Sequence, residues 1–145
     1  MQQNMRRLGK INCLEINNSD DAPWVVLFHG YGADAPDLFS LGELISTNKT
    51  LNWLFPQGPL EVPIGPGWTG RAWWNIDMQS IMEAQAQGTT RDIADVIPDK
   101  LPQLRNQIDE MIKQLRTPKN QIILGGFSQG AMLATDLFLR SEENF

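Results

Sequence analysis

The chain has 145 residues, 41% of them apolar and 20% charged, with a net charge of −5. Such a length and apolar share set the expectation of one domain with a real core and exclude a disordered chain. The acidic balance, with no basic cluster larger than Arg6-Arg7, argues against a nucleic-acid or anionic-membrane partner.

Cys13 is the only cysteine and His29 the only histidine. One cysteine gives no disulfide framework and no thiolate metal site, and a buried core thiol is the expectation for Cys13. No stretch approaches the length of a membrane span, and the N-terminus lacks the apolar core of a signal peptide. The expectation is a cytoplasmic protein with no integral membrane segment.

Residues 1–9 read as polar and loosely held. Residues 10–17 alternate, with Ile11, Cys13 (flanking Leu14) and Ile16 marking a short strand, and Asn17-Asn18-Ser19-Asp20-Asp21 is turn composition. Trp24-Val25-Val26-Leu27-Phe28 is a continuous apolar run, as expected for a strand covered on both faces in a parallel sheet. It ends in His29-Gly30-Tyr31-Gly32-Ala33-Asp34. Two glycines directly after a buried strand permit a sharp turn with free N–H groups, which is one half of an oxyanion hole or a plain βα turn. Pro36 and Asp37 suit the first turn of a helix whose apolar face is Leu38, Phe39, Leu41, Leu44 and Ile45.

Residues 51–55 form another short apolar strand, closed by Pro56. From 57 to 90 the periodicity fails, and the segment with Pro59, Pro63, Pro66, Trp68, Trp73 and Trp74 reads as a long loop without regular structure. Two readings stand for its tryptophans: an apolar substrate wall, or staples that fasten the loop to the core. Thr89 or Thr90 with Asp92 marks a helix start, interrupted at Pro98 and Pro102. Leu101, Leu104, Ile108, Met111, Ile112 and Leu115 then form one helical stripe, a core-facing surface. Thr117-Pro118-Lys119-Asn120 ends it.

The last segment runs Ile122-Ile123-Leu124-Gly125-Gly126-Phe127-Ser128-Gln129-Gly130-Ala131-Met132. An apolar strand stops, a serine sits on a tight turn, and a helix with Leu133, Ala134, Leu137 and Phe138 begins at once. Glycines at 126 and 130 fit a turn so crowded by backbone that no Cβ is tolerated. The Ser128 hydroxyl is either a nucleophile presented at a helix N-terminus or an ordinary helix cap. Strands alternating with helices point to a mainly parallel sheet in a single α/β domain spanning 1–145, with neither repeat nor linker.

Four stretches carry a resemblance: His29-Gly30-Tyr31-Gly32-Ala33, Pro56-Gln57-Gly58-Pro59, Arg71-Ala72-Trp73-Trp74-Asn75-Ile76-Asp77 and Leu124-Gly125-Gly126-Phe127-Ser128-Gln129-Gly130-Ala131. Their order and spacing over residues 10–145 resemble the phospholipase/carboxylesterase family of α/β-hydrolases, which includes bacterial carboxylesterases and acyl-protein thioesterases. The resemblance implies an α/β-hydrolase fold, a mostly parallel sheet with helices on both faces. It implies Ser128 as acyl nucleophile, the backbone N–H groups of Tyr31 and Gln129 as oxyanion hole, Trp73 and Trp74 as walls of the acyl site, and no metal or cofactor. The implied partner is a small-molecule ester or thioester, with a homodimer an admissible assembly.

One departure follows from the same resemblance. The family's triad runs Ser, Asp, His in chain order, and its acid and base lie beyond the helix that follows the serine. Asp92, Asp95 and Asp99 precede Ser128, and His29 belongs to the turn motif, where the family's histidine is structural. Moreover, Ile122-Ile123-Leu124 would be an apolar sheet edge, which natural domains avoid. The expectation is an incomplete domain, the N-terminal part of a hydrolase of about 200–220 residues.

Overall fold

The computed structural model describes residues 5–89 and 98–145. Seven strands and four helices occur among them: β1 (Arg6–Leu8), β2 (Ile11–Ile16), β3 (Trp24–Phe28), α1 (Ala35–Leu44), β4 (Asn52–Pro56), β5 (Leu60–Gly65), β6 (Trp68–Ala72), α2 (Met78–Ala86), α3 (Leu101–Lys113), β7 (Ile122–Gly126) and α4 (Gln129–Arg140). The main sheet has the order β1-β2-β4-β3-β7. β3 lies parallel to β4 and to β7, while β2 is antiparallel to both of its neighbours, so β2 alone runs against the rest.

Alternation along each strand divides the core in two. Cys13, Trp24, Val26, Phe28 and Leu54 face the side covered by Leu101, Leu104, Ile108 and Met111 of α3 and by Leu133, Ala134 and Leu137 of α4. Leu14, Val25, Trp53 and Phe55 face the side covered by Ala35, Leu38 and Phe39 of α1. β3 is apolar throughout because both of its faces are covered. The α3 stripe buries as its spacing requires. Cys13 is fully buried, its Sγ 3.6 Å from the Met111 Sδ, and burial pushes its thiol up to about 12.

Three expectations are corrected. Residues 1–9 are not all loose: Arg6–Leu8 pairs with β2 and buries Leu8. Residues 57–90 are not a structureless loop: β5 and β6 form an antiparallel hairpin and α2 follows, capped by Asp77, which accepts from the Ser80 N–H. Its Pro63 is tolerated because a two-stranded hairpin has only edges. Lastly, α1 packs along Ala35, Leu38, Phe39 and Gly42, whereas Leu41, Leu44 and Ile45 are exposed. Position 44 lies roughly opposite Gly42 and Ala35 on the helix, and position 41 lies on its flank. The helix start near 89–92 and its break before Pro98 lie outside the described residues. Among the described residues no helix is long and apolar enough to cross a membrane.

Among the described residues β7 is one of the sheet's two edge strands, β1 being the other, and Ile123 is exposed on β7. A groove of about 480 Å³ runs between this edge and α4, lined by Ile122, Leu124, Ala134, Phe138 and Phe145 among others.

Candidate active site

β3 and β7 pair in register up to Phe28 opposite Gly126, so the two chains leave the sheet at the same level. The Phe127 N–H donates to the Phe28 carbonyl at 3.0 Å, which ties the two exits together. Beyond them lie the 29–33 turn and the turn bearing Ser128. A Cβ on Gly30 would stand 3.4 Å from the Ser128 Cβ, so the turns face each other.

Ser128 is exposed, with φ 51° and ψ −117°, and its side chain makes no capping hydrogen bond to α4. Only one other non-glycine residue among those described, Arg116, has a positive φ. The conformation is held from both sides. A Cβ on Gly126 would overlap the Gly130 backbone, and one on Gly130 would overlap the Phe28 carbonyl. Glycine at both positions is therefore a steric requirement of the elbow. The first turn of α4 is closed by Gly130 N–H to Phe127 O and Ala131 N–H to Ser128 O, both 2.9 Å. Among the described residues the N–H groups of Tyr31 and Gln129 donate to no backbone acceptor, while the neighbouring Gly32 and Ala33 N–H groups are engaged.

His29 is wholly buried and both of its ring nitrogens are occupied. Nδ1 lies 2.8 Å from the Gly30 carbonyl, and Nε2 accepts from the Gly58 N–H at 2.9 Å. A carbonyl only accepts, so the proton sits on Nδ1 and the ring is neutral. Burial pushes the His29 pKa down, opposed by the bond to Gly30. With no free ring nitrogen, His29 fastens the 29–33 turn to the 56–59 turn and has no lone pair to offer a hydroxyl.

Trp73 is buried at 3% exposure, edge-on to Phe28, and its Nε1 donates to the His29 carbonyl at 2.9 Å. This is the staple. Trp74 is half-buried, and both tryptophans line a cleft of about 800 Å³ with Leu60, Val62, Leu101 and Leu104. The 29–33 turn is further fixed by β6. Gly32 N–H donates to Arg71 O and Arg71 N–H to Ala33 O, both 2.8 Å, and Gly70 has no room for a Cβ against Gly32.

One participant was invisible in the sequence. The buried Gln129 side chain accepts from the Trp73 N–H at 2.9 Å and donates to the Trp74 carbonyl at 2.8 Å. Nothing in the local pattern marks it, because its partners are 55 and 56 residues away. Among the described residues no group of three or more His, Cys, Asp or Glu side chains is placed to hold a metal ion.

Residues 11–145 match the Phospholipase/Carboxylesterase family. Acyl-protein thioesterase 1 of Schizosaccharomyces pombe is 30% identical over 129 residues, covering 87% of this chain and 54% of that protein. Acyl-protein thioesterase 1 of Candida albicans is 28% identical over 123 residues, covering 81% and 51%. The crystal structure of esterase PE8 superimposes with a TM-score of 0.71 at 26% identity, covering 93% of this chain and 60% of that one. The chain thus spans about half the length of the curated relatives it matches. Its mixed, mostly parallel sheet with helices on both faces is that of the α/β-hydrolase fold. From the family match across nearly its whole length, this chain belongs to the phospholipase/carboxylesterase family of α/β-hydrolases.

Proposed function

We propose that the chain supplies the nucleophile half of a serine hydrolase acting on carboxylic esters or thioesters with an apolar acyl group. The observation that carries this reading is Ser128 itself: an exposed hydroxyl on a left-handed backbone, spared from capping its own helix, opposite the Gly30 turn. Ser128 Oγ attacks the acyl carbon. The developing oxyanion is held by the Tyr31 and Gln129 N–H groups, the leaving group departs, and water cleaves the acyl-enzyme. Trp73 and Trp74 belong to the acyl wall in this reading, supported by the tie of the Trp73 indole to the His29 carbonyl beside the oxyanion turn, while the cleft that both line has neither Ser128 nor Tyr31 among its walls.

The base and its orienting carboxylate come from polypeptide other than these 145 residues. His29 has both nitrogens bonded, which favours this assignment. Without a base, turnover falls by on the order of 10⁶, so the 145-residue chain alone binds acyl groups but hydrolyses them close to the background rate. The test uses a fluorophosphonate probe. The full-length protein is labelled and its Ser128→Ala variant is not, and a full-length protein that takes no label overturns the reading. Ser128-dependent ester hydrolysis by the 145 residues alone would overturn the assignment of the base.

A further inference from the structure

The Gln129 carboxamide is spent on two adjacent backbone groups. Oε1 accepts from the Trp73 N–H and Nε2 donates to the Trp74 carbonyl. A neutral carboxamide presents an acceptor and a donor on one planar group, as this pairing demands. The strand leading into that segment is bonded to the opposite turn as well, through Gly32 N–H to Arg71 O and Arg71 N–H to Ala33 O. The Trp73 indole adds a third tie, to the His29 carbonyl. Residues 71–74 are therefore bonded to both turns, the one that carries the Tyr31 N–H and the one that carries the Gln129 N–H.

We infer that the Gln129 side chain is a positioning residue: by clamping the start of α4 to residues 71–74, it sets the spacing of its own backbone N–H from that of Tyr31. The inference rests on the oxyanion reading above. Its role differs from plain stabilisation in one respect. The clamp acts on the transition state, because the two N–H groups converge on an oxygen that becomes anionic only there.

The experiment uses the full-length protein with Gln129→Met, which keeps the volume and removes both hydrogen bonds, and Gln129→Glu. For Gln129→Met, kcat on an activated ester falls by about 10²-fold, with KM within about threefold, since misplacement of catalytic groups costs rate rather than ground-state binding. Affinity for an alkyl boronic acid, whose serine adduct is tetrahedral, falls by a similar factor. For Gln129→Glu, the neutral acid supplies a donor and an acceptor but the carboxylate supplies acceptors only. Its activity relative to wild type therefore rises as pH is lowered. Wild-type kcat and boronate affinity in a folded Gln129→Met protein overturns the inference, as does a loss of thermal stability with kcat unchanged. If Gln129→Met does not fold, a pH-independent activity ratio for Gln129→Glu overturns it. If Ser128→Ala leaves activity intact, the nucleophile reading fails and takes this one with it.

Discussion

Ser128 holds φ 51° and ψ −117° with a Cβ attached, a backbone state that costs roughly 1–3 kcal/mol for a residue other than glycine. The exposed hydroxyl recovers none of this through a cap. Ser128→Gly should therefore stabilise the fold by about 1 kcal/mol in chemical denaturation, while Ser128→Ala, which keeps its Cβ, should not. Equal stability of the two variants would show that the elbow is unstrained. The neighbouring Gly130 should behave oppositely. Gly130→Ala pushes a methyl into the Phe28 carbonyl and is expected to cost about 3 kcal/mol or more. His29 adds a pH dependence at this scale. Burial holds its folded pKa below the unfolded value of about 6.5, so the unfolded chain takes up a proton first. Its stabilising contribution is complete above about pH 6.5 and declines as pH falls toward the folded pKa. Because the chain has one histidine, urea midpoints at pH 7.5 and 5.5 isolate this effect among side chains, and identical midpoints count against it.

At the scale of elements, α3 and α4 are coupled by a partly buried bidentate pair. Arg105 Nε and Nη2 lie 2.6 and 2.7 Å from the Asp136 carboxylate, and Arg140 joins at 3.0 Å. The Arg105 hydrogen bonds hold the Asp136 carboxyl below the usual range. Its contribution is present above about pH 4 and is lost as pH falls through the folded pKa. A double-mutant cycle on Arg105 and Asp136 should return about 1–2 kcal/mol. The more exposed Arg6–Glu15 pair should return less than about 0.5 kcal/mol, and parity between the pairs would refute the contrast.

The same scale shows what the sequence made legible. β3, β4, α3 and α4 were readable because each buries an apolar face whose period survives in the residues. β5 and β6 were not, since a two-stranded hairpin with two prolines and three glycines buries only a few side chains and leaves little alternation. α2 buries none of its residues, so no apolar stripe announces it. In the candidate site, the Gly126 and Gly130 requirement could be anticipated from local sequence, and the structural role of His29 only from the resemblance to the family. The Gln129 clamp and the β6 support of the 29–33 turn could not, because both are hydrogen bonds between distant segments.

For the whole molecule, the β7 edge is expected to govern how the 145-residue chain associates. Among the described residues no strand pairs with the outer side of β7, and an apolar strand edge with no charged residue is a template for pairing with another chain. On its own, the 145-residue chain is expected to form concentration-dependent oligomers by light scattering at about 100 μM, and Ile123→Lys to disperse them. A monodisperse wild-type chain would show that the groove beside β7 protects its own edge.

Cys13 gives the molecule an internal clock. Alkylating reagents attack thiolate, and a thiol pushed up to about 12, wholly buried against Met111, has almost none to offer while the sheet and α3 remain joined. As the chain's only cysteine, it becomes reactive when that junction opens, so one mass-spectrometric time course of iodoacetamide uptake reads the opening equilibrium with no engineered probe.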